Sequence, residues 1–211
     1  MKPLHAIALA LASAVVSASH ASITGVAGST TWLASPPVSA LPGALTGVKA
    51  YAWNEKQGVT AGLIPCNIVV NPSVNTGYTP MLNSVFSPKF DSHMIHFDRG
   101  NLGIQSCVGK VTFSGQVLGV IFSGLWLSGS DPLFGSPSTT YHTMGWGRSY
   151  GMFLANSTVW VNGNTVSFDL RPTYAGILFS ELRVLTRPIP APSTLAAGIL
   201  CTLTSLRRAR R

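Results

Sequence analysis

Residues 158–170, TVWVNGNTVSFDL, read as a β-hairpin. Two runs, 158–161 and 165–170, are rich in Val, Thr, Trp and Phe, and apolar residues alternate with polar ones, the period that sends one set of side chains to each face of a strand. Between them Asn162-Gly163 suits a type I′ turn, whose two central residues need positive φ.

Outward from this hairpin the texture repeats. Similar runs occur at 47–53, 66–70, 92–97, 107–113, 116–127 and 177–185, separated by Gly, Pro, Ser and Asn rather than by helical segments. No window carries a sustained apolar repeat at helical spacing, and there is no internal repeat. The pattern predicts an all-β fold, a single antiparallel β-sandwich or jelly-roll domain over residues 22–187.

The two ends differ from this body. Residues 1–21 open with Lys2, continue as AIALALASAVVSA and offer Ser19-His20-Ala21 as a small-x-small exit, the three parts of a signal peptide with its apolar helix. Residues 188–211, PIPAPSTLAAGILCTLTSLRRARR, begin with proline-punctuated extended chain and end in Arg207, Arg208, Arg210 and Arg211. The uncharged run between has 14 residues from Ser193 to Leu206. As a helix it spans about 21 Å, short of a hydrocarbon core of about 30 Å. The arginines behind it resist translocation and favour a transient insertion at the inner membrane.

Charge follows from these ends. The chain carries 14 basic and 6 acidic residues, net +8, with a pI of about 9.9. Lys2 and the four terminal arginines are five of the fourteen, so the body holds nine basic residues against six acidic ones, about +3. These nine are scattered without interleaved aromatics, which argues against nucleic acid as a partner.

In an exported chain, Cys66 and Cys107 invite a disulfide, with two buried free thiols as the other reading; Cys201 lies in the tail. No Cys-x-x-Cys or Cys/His spacing suggests zinc, and no metal or other cofactor is expected. His93 and His96, flanked by Asp91 and Asp98, make an H-x-x-H, but on a strand that spacing sends the rings to opposite faces. One histidine is expected to pack inside and the other to be solvated.

The stretch 128–149, SGSDPLFGSPSTTYHTMGWGRS, reads as a long loop with one helical turn at Asp131-Pro132 closed by Gly135. Its Asp131, Tyr141, His142, Trp146 and Arg148 are candidates for a sugar-binding surface, the aromatic faces covering apolar sugar faces and the polar groups taking hydroxyls. The alternative is that Phe134, Tyr141 and Trp146 fold back as a cap. Gly147-Arg148-Ser149-Tyr150-Gly151 matches G-x-S-x-G but lacks the preceding strand, the following helix and any later histidine. The six carboxylates, Glu55, Asp91, Asp98, Asp131, Asp169 and Glu181, show no spacing that marks a glycosidase pair. No catalytic constellation is expected, and a secreted hydrolase ranks last among the readings.

Pro190, Ala191 and Pro192, the apolar run and the closing arginines resemble the PEP-CTERM sorting tail of exported bacterial proteins, with alanine where that motif has glutamate. The resemblance implies an exosortase-like membrane processing enzyme as partner and delivery to the cell surface or extracellular matrix, with a membrane-anchored precursor. WNEKQGVT, DSHMIHFD, VTFSGQVLGVI and SDPLFGSPSTTY, in this order, resemble an uncharacterised group of such cargo proteins. This implies a β-rich domain with no catalytic residues to transfer. The expectation is an exported envelope or matrix protein of structural or adhesive role, with an exopolysaccharide-binding module as the alternative.

Overall fold

The computed structural model describes residues 19–69, 73–76, 83–100, 106–143, 148, 157–171 and 179–189. In chain order the first strands are β1 (Ile23–Gly28), β2 (Thr30–Trp32), β3 (Ala50–Asn54), β4 (Leu63–Cys66), β5 (Ser73–Thr76) and β6 (Asn83–Phe86). They are followed by β7 (Asp91–Asp98), β8 (Cys107–Phe113) and β9 (Val117–Ile121), then the helix α1 (Gly124–Phe134), then β10 (Thr158–Asn162), β11 (Thr165–Leu170) and β12 (Phe179–Thr186).

The predicted hairpin forms. β10 and β11 pair antiparallel from Thr158↔Asp169 to Asn162↔Thr165, and Gly163 takes φ 62 in the turn. This hairpin sits inside a five-stranded sheet of order β1-β8-β11-β10-β5; a second has order β2-β3-β7-β12-β9, and β4 and β6 form a two-stranded ribbon. Among the described strands pairing is antiparallel except between β2 and β3, which run parallel. The chain leaves the first sheet and joins the second across Ser29 alone. Gly28 makes that corner at φ 68, where a Cβ would meet the Val108 carbonyl oxygen at 2.7 Å.

Both five-stranded sheets feed one apolar cluster. Ala52, Ile95, Leu182 and Val184 come from the second sheet; Val111, Phe113, Val159 and Phe168 come from the first. Alternation explains the membership, since these residues are spaced by two along their strands. The ring of His93, on β7, lies 4.6 Å from that of Phe113, on β8, reaching across between the sheets.

The second sheet is covered on its other face as well, because every residue of β7 and β12 is buried. There Trp53 and Met94 pack with Ala40 and Tyr141. Ile121 and Leu185 pack with Leu127 and Phe134 of α1. Burying a side chain of the size of Leu127 or Phe134 is worth about 1.5–3 kcal/mol, and this holds α1 in place although its sequence, GLWLSGSDPLF, contains Gly, Ser and Pro.

Several expectations are corrected here. The run 116–127 is a strand only to Ile121, and the region expected as a loop with a single helical turn is an 11-residue helix with Pro132 inside it. His96 is buried like His93; the rings do lie on opposite faces, but helix and loop cover the side expected to meet water. The Cys66–Cys107 disulfide is not formed, and both residues are buried free thiols. They belong to different apolar clusters, Cys66 with Ile64 and Phe90 and Cys107 with the residues between the sheets. The signal segment up to residue 18 and the tail from residue 190 lie outside the described residues. Among the described residues no helix is long and apolar enough to cross a membrane.

Candidate functional site

The second sheet meets its outer cover through charges. Glu55 follows β3; Ser92 and His96 stand on β7; Glu181 and Arg183 stand on β12. Glu181 and His96 are cross-strand partners. From the cover come Ser130 and Asp131 of α1, then Tyr141 and Arg148 from the chain that follows.

Arg183 is the centre of the network. Its Nε donates to Glu55 Oε2 and its Nη2 to Glu55 Oε1, both at 2.8 Å, the bidentate geometry that makes such pairs strong. Nη2 also donates to Asp131 Oδ1 at 2.8 Å, and Nη1 to the Leu127 carbonyl at 3.1 Å and to Ser130 Oγ at 2.5 Å. Glu55 is filled from elsewhere too. The Tyr141 hydroxyl donates to Oε1 at 2.6 Å and the Ser92 hydroxyl to Oε2 at 2.7 Å.

Arg148 repeats the theme. It pairs with Asp131 through both carboxylate oxygens, and its Nε donates to Glu181 Oε2 at 2.5 Å. Glu181 Oε1 accepts from His96 Nδ1 at 2.9 Å. The guanidinium carbons of Arg148 and Arg183 stand 5.3 and 5.5 Å from the centre of the Tyr141 ring, within cation–π range. The result is a continuous chain: His96, Glu181, Arg148, Asp131, Arg183, Glu55, Tyr141.

Burial and pairing set the electrostatics. Burial alone raises the Glu181 carboxyl, but Arg148 and then His96 outweigh it and hold its pKa down at about 2. Burial likewise pulls both guanidinium groups down, and their carboxylate partners win, Glu181 and Asp131 at Arg148, Glu55 and Asp131 at Arg183, so both stay above the usual arginine value. Burial, then the Glu55 carboxylate, push the Tyr141 hydroxyl up. Asp131 lies in the last turn of α1, where the helix dipole disfavours an anion; its two arginine partners answer that cost.

Chemically this arrangement holds rather than reacts. Both oxygens of Glu55 are saturated by donors, and Glu181 is engaged at both of its oxygens. Buried polar atoms without a hydrogen-bond partner among the described residues include His96 Nε2 and Trp53 Nε1, and the two rings stand 6.3 Å apart. Among the described residues no group of three or more His, Cys, Asp or Glu is placed to hold a metal ion.

Of the predicted sugar-binding set, Asp131, Tyr141 and Arg148 come together, but inside: Arg148 is fully buried and Tyr141 is 8% exposed. The Asp131 side chain keeps 16% exposure, and the other two offer almost none. His142 donates nothing to the network by its ring, which meets Phe179 edge-on at 5.7 Å, while its carbonyl accepts from Arg148 Nη1 at 3.2 Å. Trp146 and the sorting residues Pro190, Ala191, Pro192, Arg207, Arg208, Arg210 and Arg211 lie outside the described residues, as does the G-x-S-x-G match apart from Arg148.

Two of the other acids tie loops. Buried Asp91 accepts the amides of Ala21 at 2.5 Å and Gly58 at 2.6 Å, and buried Asp98 accepts those of Gly43 at 2.6 Å and Gly100 at 2.8 Å. His93 bonds Asn54 at 2.8 Å and Thr186 at 3.0 Å, and burial pulls its pKa down to about 3. Sequence reasoning did not single out Glu55, Ser92, Glu181 or Arg183 as partners. The one available signal was Glu181 and Arg183, two charges spaced by two within the otherwise uncharged run FSELRVLT.

No family model, curated protein or solved structure matches this chain.

Proposed function

We propose that the chain is an exported protein of the cell envelope or extracellular matrix with a structural or adhesive role, its β-rich domain a sandwich of two facing sheets carried between a signal peptide and a sorting tail. The observation that carries the structural role is the buried network itself. The polar side chains that sequence suggested for ligand contact are spent on clamping helix and loop to a sheet, which makes a rigid domain rather than a binding loop. The export half rests on the apolar 1–21 segment and on the Pro-Ala-Pro, apolar run and arginine cluster of 188–211.

Intact mass and fractionation of the protein from an exporting host test this reading. Loss of about the first 21 residues and of everything beyond about Pro192, with the product in matrix or medium, is the expected outcome. An unclipped C-terminus in the membrane fraction overturns sorting and release.

A further inference from the structure

The outer face of the β1-β8-β11-β10-β5 sheet offers what the 128–149 stretch does not. Its inner positions carry the core, so alternation turns Thr158, Trp160 and Asn162 of β10 outward, with Ser167 and Asp169 of β11 beside them. Trp160 is 39% exposed. It is also no edge residue, since β10 is paired on both sides. Its lateral neighbours are Val74 of β5 and Ser167 of β11, and beyond Ser167 Lys110 and Ala27 lie in register on β8 and β1. From Trp160 to Ala27 this row crosses the strands for about 14 Å, three spacings of about 4.8 Å.

The chemistry of this row selects among partners. A nucleic acid or anionic polymer needs free cations, yet the exposed Arg171 guanidinium is held by Asp169 through bonds of 2.6 to 3.0 Å, leaving Lys110. A protein interface needs a contiguous apolar centre, whereas the two large apolar side chains exposed here among the described residues, Trp160 of β10 and Val108 of β8, are separated by Ser167 and Asp169 of β11. An aromatic face flanked by hydrogen-bonding groups, with Lys110 the one unpaired cation among those described, matches the ring hydrogens and hydroxyls of a sugar.

We propose that this sheet face binds a neutral polysaccharide, with Trp160 as the stacking platform and Thr158, Asn162, Ser167 and Lys110 as hydrogen-bonding flanks. The proposal deepens the matrix reading and rests on it for the setting in which such glycans occur.

Affinity electrophoresis of the purified full chain through gels containing dextran, hydroxyethyl cellulose or alginate tests the face by itself. Retardation by a neutral polymer, weakened about tenfold by Trp160→Ala, largely restored by Trp160→Tyr and unchanged by Trp32→Ala, is expected; Trp32 is an exposed tryptophan of the other sheet. No retardation by either neutral polymer, retardation by alginate alone, or equal loss in the Trp32 variant overturns the proposal. Mass and fractionation report on export separately, so each reading can fail alone.

Discussion

Arg183 and Glu55, 128 positions apart in the chain, meet through two hydrogen bonds of 2.8 Å with both side chains fully buried. A pair this far from water stabilises only while both partners are present, because one ion left alone bears the whole desolvation cost.

Arg183→Met is therefore expected to cost about 3–5 kcal/mol, since it strands Glu55 and weakens the hold on Asp131. The double variant Glu55→Gln/Arg183→Met loses less than the single one. Urea unfolding measures both, and a single variant within about 1 kcal/mol of wild type contradicts a clamping role.

Glu181 gives the network an acid limit. Its folded pKa of about 2 lies below the ordinary 4.5, so its contribution is complete above about pH 4.5 and drains away as pH falls toward 2. Glu181→Gln should be less stable at neutral pH and show a flatter decline of stability across that window. A decline as steep as that of wild type rules out this source.

His93 acts in a higher window. Its folded pKa of about 3 is below the ordinary 6.5, so protonation favours the unfolded chain and stability falls as pH drops from about 6.5 toward 3. Imidazole NMR signals should show His93 still neutral at pH 5. A titration near 6.5 contradicts its burial against Phe113.

The thiols are checked by labelling without reductant. Burial pushes Cys66 up to about 12 and Cys107 to about 11, so iodoacetamide should leave both unmodified in the native protein and label both once it is unfolded. Failure to label in denaturant until a reductant is added would restore the disulfide.

Gly135 ends α1 where a Cβ would meet the Asp131 carbonyl oxygen at 2.7 Å and Tyr141 Cε2 at 2.9 Å. Gly135→Ala is expected to cost about 1–3 kcal/mol by overpacking, read as a lowered Tm.

The strands were legible because they obey a local rule. The hairpin at Asn162-Gly163 and the full extent of β8 follow from period-two patterning and turn chemistry, and the opposite facing of His93 and His96 follows from the same period. The helix was not legible, since GLWLSGSDPLF carries weak helix formers and owes its form to Leu127, Phe134 and the Arg183 contacts. The network was hidden for a related reason. Glu55, Asp131 and Glu181 lie on separate elements, and only the fold brings them to two shared arginines, so no spacing could announce them. Of the two readings of the 128–149 stretch, the burial of Phe134 and Tyr141 fits the cover rather than the surface.

Asp131, held by two arginines at once, ties the fate of several positions together. A change at any one of Glu55, Asp131, Arg148, Glu181 or Arg183 breaks at least one ion pair of the network, so mutations there should be accepted in lineages as matched sets. Such joint replacement would be visible as covariation between sites more than a hundred residues apart, while the exposed side chains of the same strands drift independently.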